Sequence, residues 1–205
     1  MTWRKRIFDL FFASLLVVIL GPVILFLVIY IALKQGRPLF YVAERMKTPD
    51  QSFGLLKFRT MTVVDDDQGV SGAHKASRVT PLGHRLRAKR LDEFPQLWNI
   101  LKGDLSFVGP RPPLREYVEQ FPEIYGEVLK SRPGVTGLAT IRFHKHEERL
   151  LSRCTTAAQT EDVYCRICIP RKAKLDLIYQ RHQSTCYDFD LVFQTIGNLF
   201  ARSKR

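Results

Sequence analysis

Cysteine is missing from most of this 205-residue chain, since its four cysteines all lie at or after Cys154. So sparse a set argues against a secreted scaffold held together by disulfides. The sequence also lacks the motifs GxxxxGKS/T, GxGxxG, HExxH and GxSxG. Their absence excludes the usual phosphate-loop, dinucleotide-binding, zinc-protease and serine-hydrolase sites. Internal repeats and low-complexity tracts are lacking as well, and the length corresponds to one domain.

Acidic residues are scarce relative to basic ones: 32 Lys and Arg against 20 Asp and Glu give a formal net charge of +12. Such a charge attracts phosphates, nucleic acid or an anionic membrane surface. Nucleic acid is the weakest of these partners, because the aromatic residues are not interleaved with basic ones as a base-stacking surface requires. The composition, 45% hydrophobic and 25% charged, is that of a folded protein.

The longest hydrophobic run covers Ile7 to Leu33 and contains one charged residue, Asp9. It is longer than the core of a signal peptide, and no small-residue cleavage site follows it. A helix buried in a soluble domain would show a polar stripe, which is missing here. We therefore expect this segment to lie in a membrane. As a straight helix it would measure about 40 Å, longer than the ~30 Å hydrocarbon core of a bilayer.

Two membrane topologies fit this segment. Gly21-Pro22 near its middle predicts a kink, because proline removes a backbone donor and clashes with the preceding turn. Basic residues flank both ends, at positions 4–6 before it and at Lys34 and Arg37 after it. The positive-inside rule favours the cytoplasmic side for both flanks. A re-entrant hairpin that bends at Gly21-Pro22 satisfies that rule and a kinked single span does not, but the pattern leaves both open.

The rest of the chain predicts short strands and several helices. One helix is expected to start at Asp92-Glu93, because Pro95 is tolerated only in a first turn. Its predicted buried face consists of Phe94, Leu97, Trp98 and Leu101. The acidic run at 65–67 is expected to be a solvated loop. The other predicted elements are extended segments at 38–46 and 52–61, a basic helix at 81–91, a rigid stretch at 109–113, helical spacing at 114–129 broken near Pro122, and an amphipathic helix at 190–201.

Asp92-Glu93 is the most suggestive acidic pair. Carboxylates at a helix start often serve only to cap free backbone N–H groups. Carboxylates among many cations near a helix N-terminus are also typical of a site for phosphate and a divalent metal. The pattern leaves both interpretations open. The basic residues that favour the second are Arg85, Arg87, Lys89 and Arg90 upstream, Lys57 and Arg59 at the end of an extended segment, and Arg111 between prolines.

Cysteine and histidine side chains are concentrated towards the end of the chain. Cys165 and Cys168 form a CxxC pair, and the same region holds Cys154, Cys186, His144, His146 and His182. Zinc needs four ligands, which this set could supply, but the spacings match no zinc motif that can be argued mechanically. Separate reduced thiols, a zinc site and redox chemistry are all kept as interpretations.

Three ordered motifs resemble those of the bacterial sugar transferases, the monotopic phosphoglycosyl transferases. The motifs are LLKFRTM at 55–61, RLDEFPQLWNILKGDLSFVGPRP at 90–112 and RPGVTGLA at 132–139. The basic N-terminus and the proline-broken apolar segment fit the same family. The resemblance therefore covers roughly residues 1–140.

The resemblance implies a mixed α/β (α+β) fold, with a re-entrant membrane anchor at 1–37 and one small, mostly helical catalytic domain at 38–205. Short strands and interfacial amphipathic helices are expected in that domain. Family members transfer a phosphosugar from a nucleotide diphosphate sugar, here expected to be a UDP-sugar, to polyprenyl phosphate (undecaprenyl phosphate) and release nucleoside monophosphate. This reaction starts exopolysaccharide, O-antigen or glycoprotein glycan assembly. The expected location is the bacterial inner (plasma) membrane, with the catalytic domain on the cytoplasmic face, and a homodimer is compatible with the family.

The resemblance also implies roles for individual residues. The family's Asp-Glu dyad corresponds to Asp92 and Glu93. The family's aspartate, here Asp92, is a nucleophile that forms a covalent phosphosugar intermediate. Mg²⁺ is the implied cofactor, with Asp92 as its ligand. Substrate binding is implied for Lys57, Arg59, Arg87 and Arg111.

The chain departs from the family after Ala139. The arginine that contacts the nucleotide in relatives aligns with His144, and residues 142–171 form an atypical segment. We therefore keep a second hypothesis, a catalytically impaired membrane scaffold of the same fold in a glycan-assembly complex. The intact dyad and the presence of Arg87 and Arg111 argue against it.

Overall fold

The structure is a computed structural model that describes residues 2–62 and 78–203, the last five of them as backbone only. The acidic run at 65–67 lies outside the described residues. The helices are α1 (Trp3–Gln35), α2 (Pro81–Ala88), α3 (Gln96–Lys102), α4 (Arg115–Gln120), α5 (Pro122–Val128), α6 (Leu138–Leu151), α7 (Ala157–Val163), α8 (Ile169–His182) and α9 (Thr185–Ser203). The strands are β1 (Phe40–Met46), β2 (Ser52–Phe58), β3 (Ser106–Val108) and β4 (Gly134–Thr136). A 3₁₀ turn covers Leu91–Glu93 and a π-helical turn covers Tyr164–Cys168.

The mixed, mostly helical fold with short strands is confirmed. The two extended segments form an antiparallel hairpin in which Phe40 lies opposite Phe58. Asn99 of α3 binds the edge of β2: its side-chain amide donates to the Gly54 carbonyl (2.7 Å) and accepts from the Leu56 N–H (2.9 Å). Because these contacts satisfy backbone groups of an edge strand, they hold α3 and the hairpin together as one unit.

Helix α3 differs from its sequence prediction at two points. It begins at Gln96 rather than at Asp92, because the preceding residues form a separate 3₁₀ turn. Its core contacts come from Leu97 and Ile100, whereas Trp98, predicted to be buried, is 63% exposed. The prediction for Trp98 was wrong because the helix is short and turns a polar residue, not the tryptophan, towards the hairpin.

The atypical segment is helical over most of its length, through α6, α7, the π-helical turn and the start of α8. All four cysteines are free thiols. Cys154 donates to the Leu150 carbonyl (3.6 Å) and Cys165 donates to Glu161 (3.4 Å), so these two thiols have separate partners. Within residues 2–62 and 78–203, no three His, Cys, Asp or Glu side chains are grouped as a metal site.

Helix α1 lies along the rest of the domain. Its buried residues recur at helical spacing on one face: Lys5, Phe8, Asp9, Ala13, Leu27 and Ile31. The opposite face is apolar and exposed, with Ile7, Phe11, Leu15, Val18, Phe26, Ile29 and Leu33. By length and composition α1 could cross a membrane. The helix is continuous through Pro22, and the bend at Gly21-Pro22 stays a prediction.

Both ends of α1 are hydrogen-bonded to the same domain. Near its start, the Arg6 guanidinium donates to two backbone carbonyls at the end of α3 (both 2.7 Å). At its other end, Arg59, which directly follows β2, donates to the carbonyls of Gln35 (2.5 Å) and Gly36 (3.1 Å). Because Asn99 joins α3 to β2, the two ends of a helix about 50 Å long are attached to one packed unit.

A buried polar network joins α1 to α9. The Lys5 ammonium lies 2.7 Å from the Asp188 carboxylate, and both side chains are almost fully buried. The Tyr179 hydroxyl donates to the other oxygen of Asp188 (2.6 Å). One turn further along α1, Asp9 accepts a hydrogen bond from the Ser106 hydroxyl (3.0 Å). The N-terminal helix is therefore tied to β3 and to the C-terminal helix by polar groups as well as by packing.

Replacing Lys5 by Met is expected to lower the free energy of unfolding by about 3 kcal/mol, because Asp188 is left buried without its cation. The double variant Lys5→Met/Asp188→Leu is expected to regain part of that loss, since the Asp188 charge is no longer buried without its cation. Thermal unfolding of the full chain in detergent, followed by circular dichroism, measures both effects. Equal melting temperatures for the wild type and Lys5→Met would contradict the buried ion pair.

Candidate active site

Asp92 and Glu93 lie in the 3₁₀ turn between α2 and α3, which also contacts β2. Arg90, just before the turn, has φ of 54° and is the one non-glycine residue with a left-handed backbone in the part of the chain that the structure describes. Such a conformation costs on the order of 1–3 kcal/mol and is typical of functional sites. Neither acid caps a helix, because neither this turn nor α3 has a side-chain cap. The capping interpretation is therefore not supported.

Glu93 is neutralised by two cations. Its Oε1 lies 3.4 Å from the Lys57 ammonium and its Oε2 lies 3.4 Å from the Arg90 guanidinium. Burial by itself would raise the pKa of Glu93, but the charges of Lys57, Arg90 and Arg111 outweigh it and hold that pKa below its ordinary value. Burial and the nearby charge of Arg111 lower the pKa of Lys57, although Glu93 opposes the shift. Glu93 is thus an ionised anchor for basic side chains.

Asp92 is the other carboxylate of the pair, and it is buried without an ion pair among the described residues. Burial raises the pKa of Asp92, and the adjacent Glu93 charge raises it further. The charges of Lys57 and Arg87 oppose that shift. Asp92 is therefore a carboxylate close to positive charge whose oxygens are not already neutralised, which suits attack on, or binding to, an electrophile.

Arg87 is positioned by Thr60. The Arg87 Nε–H donates to the buried Thr60 hydroxyl (2.9 Å). Helix α2 can approach Thr60 because position 83 is glycine: a Cβ there would lie 2.0 Å from the Thr60 carbonyl oxygen. This contact uses one of the five guanidinium N–H groups, so the other N–H groups of Arg87 are available to an anion.

Arg111 is presented by two motifs that interlock. β3 pairs in parallel with β4, and the Gly134 N–H donates to the Pro110 carbonyl (2.8 Å). A Cβ at Gly109 would lie 2.1 Å from the Arg132 carbonyl oxygen, so only glycine permits this approach. Arg111 itself is exposed and has no hydrogen bond or ion pair among the described residues, which leaves its guanidinium available to a ligand.

Five of the six residues predicted for the site are brought together: Lys57, Arg87, Asp92, Glu93 and Arg111, as their mutual electrostatic effects show. Arg59 is placed elsewhere, on the backbone carbonyls at the end of α1. The sequence interpretation also missed Arg45, whose pKa is lowered by burial and by the charge of Arg111. Arg45 lies near the end of β1 and belongs to none of the recognised motifs. The sequence therefore did not indicate that Arg45 is close to Arg111.

The Asp92 carboxylate fits a divalent cation. Mg²⁺ is usually held by one or two carboxylates together with substrate phosphates and water. Asp92 supplies such an oxygen ligand beside a second carboxylate, Glu93, whose oxygens are already occupied by cations. Since the described residues contain no group of three acidic, His or Cys ligands, the remaining ligands would come from substrate phosphates or water.

Comparisons with known proteins find a matching family and several relatives. The family model for bacterial sugar transferases matches residues 1–202. EpsL of Bacillus subtilis (strain 168), named an uncharacterized sugar transferase, is 41% identical over 137 residues, which is 67% of this chain and 67% of EpsL.

Two longer relatives have names that describe a reaction. A Klebsiella pneumoniae protein named UDP-glucose:undecaprenyl-phosphate glucose-1-phosphate transferase is 32% identical over 94% of this chain and 39% of its own length. An Aeromonas hydrophila protein named UDP-N-acetylgalactosamine-undecaprenyl-phosphate N-acetylgalactosaminephosphotransferase is 30% identical over 95% of this chain and 43% of its own length. The chain thus spans less than half the length of either relative.

The two carboxylates are expected to affect stability in opposite directions at pH 7 in chelator-treated protein. Asp92→Asn is expected to raise the free energy of unfolding by about 1 kcal/mol, because it removes a carboxylate whose ionised form is disfavoured by burial. Glu93→Gln is expected to lower it by about 1–3 kcal/mol, because Lys57 and Arg90 lose a charge-assisted partner.

The pH dependence follows from the directions of the shifts. The raised pKa of Asp92 makes the wild type lose stability as pH rises through that pKa, so the gain in Asp92→Asn should vanish at low pH. The lowered pKa of Glu93 contributes stability above its ordinary pKa that is lost as pH falls through the folded value, so the deficit in Glu93→Gln should also vanish there. Thermal unfolding between pH 3 and 8 measures both, and a destabilised Asp92→Asn at pH 7 would contradict the assignment.

Proposed function

Because the chain belongs to the bacterial sugar transferase family, we propose that it transfers a phosphosugar from a UDP-sugar to undecaprenyl phosphate and releases UMP. The observation that carries this proposal is that two adjacent acids have different surroundings: Glu93 is held by two cations, while buried Asp92 has no ion pair among the described residues. The printed names of the relatives supply the substrate class. Initiation of exopolysaccharide or a related glycan on a lipid carrier is the corresponding role.

In the first step, a carboxylate oxygen of Asp92 attacks the phosphorus that bears the sugar. A bond forms between that oxygen and phosphorus, and the bond to the bridging oxygen of the diphosphate breaks. UMP leaves with the electron pair, and the phosphosugar stays on Asp92. A carboxylate must be ionised to attack, and the charges of Lys57 and Arg87 favour the ionised form against burial.

The basic residues lower the repulsion between the attacking carboxylate and the donor phosphates. Arg87 and Arg111 keep guanidinium N–H groups free for phosphate oxygens. Glu93 keeps Lys57 and Arg90 in place without binding substrate itself. Mg²⁺, held by Asp92 and the donor phosphates, would neutralise the charge that develops on the leaving group.

In the second step, a phosphate oxygen of undecaprenyl phosphate attacks the same phosphorus. The new diphosphate bond forms, and the bond to the Asp92 oxygen breaks, which restores the carboxylate. A relay of this kind lets one site handle a soluble donor and a membrane-bound acceptor in turn. It requires the site to lie within reach of the lipid phosphate.

The attachment of α1 supports a re-entrant placement in the membrane. A single straight span would separate Arg6 and Gln35 by the ~30 Å hydrocarbon core, yet both are bonded to one packed domain. Both ends therefore belong on the same side, and the basic flanks favour the cytoplasmic face of the inner membrane. On α9, the Phe189 ring packs against Phe8 of α1 (4.9 Å) and against the exposed Phe193, so apolar side chains of α9 lie beside α1, which supports an interfacial role for α9.

Incubation of the full chain with Mg²⁺ and a panel of UDP-sugars, without lipid acceptor, is expected to add the mass of one phosphosugar. Asp92→Asn is expected to show no adduct while remaining in the membrane fraction, because only the attacking oxygen is lost. Intact-protein mass spectrometry measures the adduct and identifies the sugar. Addition of undecaprenyl phosphate should then discharge it.

The matched control is Asp190→Asn, which removes an exposed carboxylate of α9 and should form the adduct normally. An adduct on Asp92→Asn would remove Asp92 as the nucleophile. Failure of the wild type to form an adduct or release UMP with any donor would favour the impaired scaffold over the enzyme.

Cysteine labelling is expected to place both ends of α1 on the cytoplasmic side. In a background with the four native cysteines replaced by Ser, Arg4→Cys and Lys34→Cys should both react with a membrane-impermeant maleimide in inverted inner-membrane vesicles. Neither should react in intact spheroplasts, and Val18→Cys, on the exposed apolar face, should react in neither. Labelling of the two ends from opposite sides would establish a kinked single span instead.

A further inference from the structure

A basic groove lies at the C-terminal end of α1, apart from Asp92 and Glu93. It encloses about 850 Å³ between the end of α1, the segment after β2 and the start of α2. That size is in the range of sites that hold small ligands or lipid headgroups. Four cations line it, and the described lining contains no acidic residue: Lys34, Arg37, Arg59 and Arg85.

Among the described residues, no acidic side chain compensates the positive charge of the groove. Lys34, Arg37 and Arg85 have no hydrogen bond or ion pair to any described side chain. Arg59 donates only to backbone carbonyls, which leave its charge in place. Four like charges in one groove are unfavourable unless an anion lies among them.

Two buried polar atoms in the groove wall lack partners within the part of the chain that the structure describes. The Nε–H of Arg59 has no acceptor, and the Oε1 of Gln35 has no donor. An unpaired buried group costs free energy comparable to a lost hydrogen bond, so a ligand that supplies both partners is favoured. A phosphate oxygen would accept from Arg59, and a headgroup hydroxyl would donate to Gln35.

Apolar lining distinguishes a lipid from a soluble anion. Tyr30, Met61 and Leu82 line the same groove, and next to it the exposed apolar face of α1 ends at Ile29 and Leu33. A free phosphate or a nucleotide would leave this surface in water, whereas an acyl chain would cover it. Lys34 and Arg37 also lie where the helix leaves the apolar region, at the depth of lipid headgroups.

The groove and the dyad lie on different faces of α2. Arg85 lines the groove, whereas Arg87, two residues later, bonds to Thr60 and acts on Asp92. Two residues of an α-helix point about 200° apart, so the two arginines serve different places. A lipid in the groove therefore need not compete with the phosphates at Asp92.

From these observations we propose that the basic groove binds one anionic glycerophospholipid of the surrounding membrane, with its phosphate among Arg59, Arg85 and the two cations at the end of α1. The hydroxyl-bearing headgroup contacts Gln35, and an acyl chain follows the apolar face of α1. The proposal rests on the membrane placement of α1 proposed above. The bound lipid fixes the depth at which α1 leaves the membrane.

Native mass spectrometry of the full chain in detergent, with added phosphatidylglycerol or phosphatidylcholine, tests the groove. The wild type is expected to retain one phosphatidylglycerol with about tenfold or more preference over phosphatidylcholine. The triple variant Lys34→Gln/Arg37→Gln/Arg85→Gln should lose that preference, and Arg85→Gln alone should lower the affinity about fivefold. The matched control, Lys145→Gln/Arg149→Gln/Arg153→Gln, removes the same charge from exposed positions and should bind like the wild type.

Equal retention of the two lipids by the wild type would overturn the proposal, as would equal losses in the triple variant and its control. Displacement of phosphatidylglycerol by undecaprenyl phosphate, with a matching loss in the triple variant, would assign the groove to the acceptor instead. The phosphosugar adduct, measured on the same samples without acceptor, should form normally in the triple variant. A wild type that retains phosphatidylglycerol but forms no adduct would overturn the proposed reaction and leave the lipid site in place.

Discussion

The attachment of one apolar helix at both of its ends is the constraint on which the rest of the molecule depends. Near the start of α1, Arg6 donates to backbone carbonyls of α3, and at the other end Arg59 donates to the carbonyls of Gln35 and Gly36. Asn99 joins α3 to β2 and so connects the two attachments. Lys57, which neutralises Glu93, precedes Arg59 by two residues on that same segment. The chain that closes the end of the helix thus also builds the candidate active site. Any movement of the helix end relative to the domain would therefore shift the segment that carries Lys57 and change the surroundings of Asp92 and Glu93.

Charged side chains of the same type have different surroundings in this molecule, depending on the partners that they contact. Adjacent carboxylates have opposite pKa shifts, since Glu93 has two cationic neighbours in contact while Asp92 is buried without one. Among the arginines, Arg59 donates its terminal N–H groups to backbone carbonyls, Arg87 donates one N–H to Thr60, and Arg111 has no partner among the described residues. Local packing therefore separates the groups that we propose bind substrate from the groups that hold the scaffold, although the two acids are chemically alike and the three arginines are identical.

The sequence predicted much of this arrangement and failed where a single side chain decided the outcome. The hairpin, the basic helix and the break at Pro122 followed from alternation, helical spacing and proline, which are local signals. The exposure of Trp98 did not, because the inward turn of Asn99 is set by the unpaired edge of β2. The role of Arg59 at the end of α1 could not be read either, since it depends on a contact across 24 residues. The left-handed backbone at Arg90 had no sequence signal, because glycine or asparagine is the usual occupant.

The ion pair between Lys5 and Asp188 has a consequence for how the protein is made. Its partners are 183 residues apart, so they lie close to opposite ends of the described chain. A ribosome that adds about 5–20 residues per second delivers the aspartate on the order of 10–40 s after the lysine. During that interval the lysine lacks the Asp188 carboxylate, although Asp9, four residues later in the chain, is already present. Translation therefore imposes an order of events: the apolar helix is synthesised first, and the ion pair that joins its N-terminal end to α9 forms last.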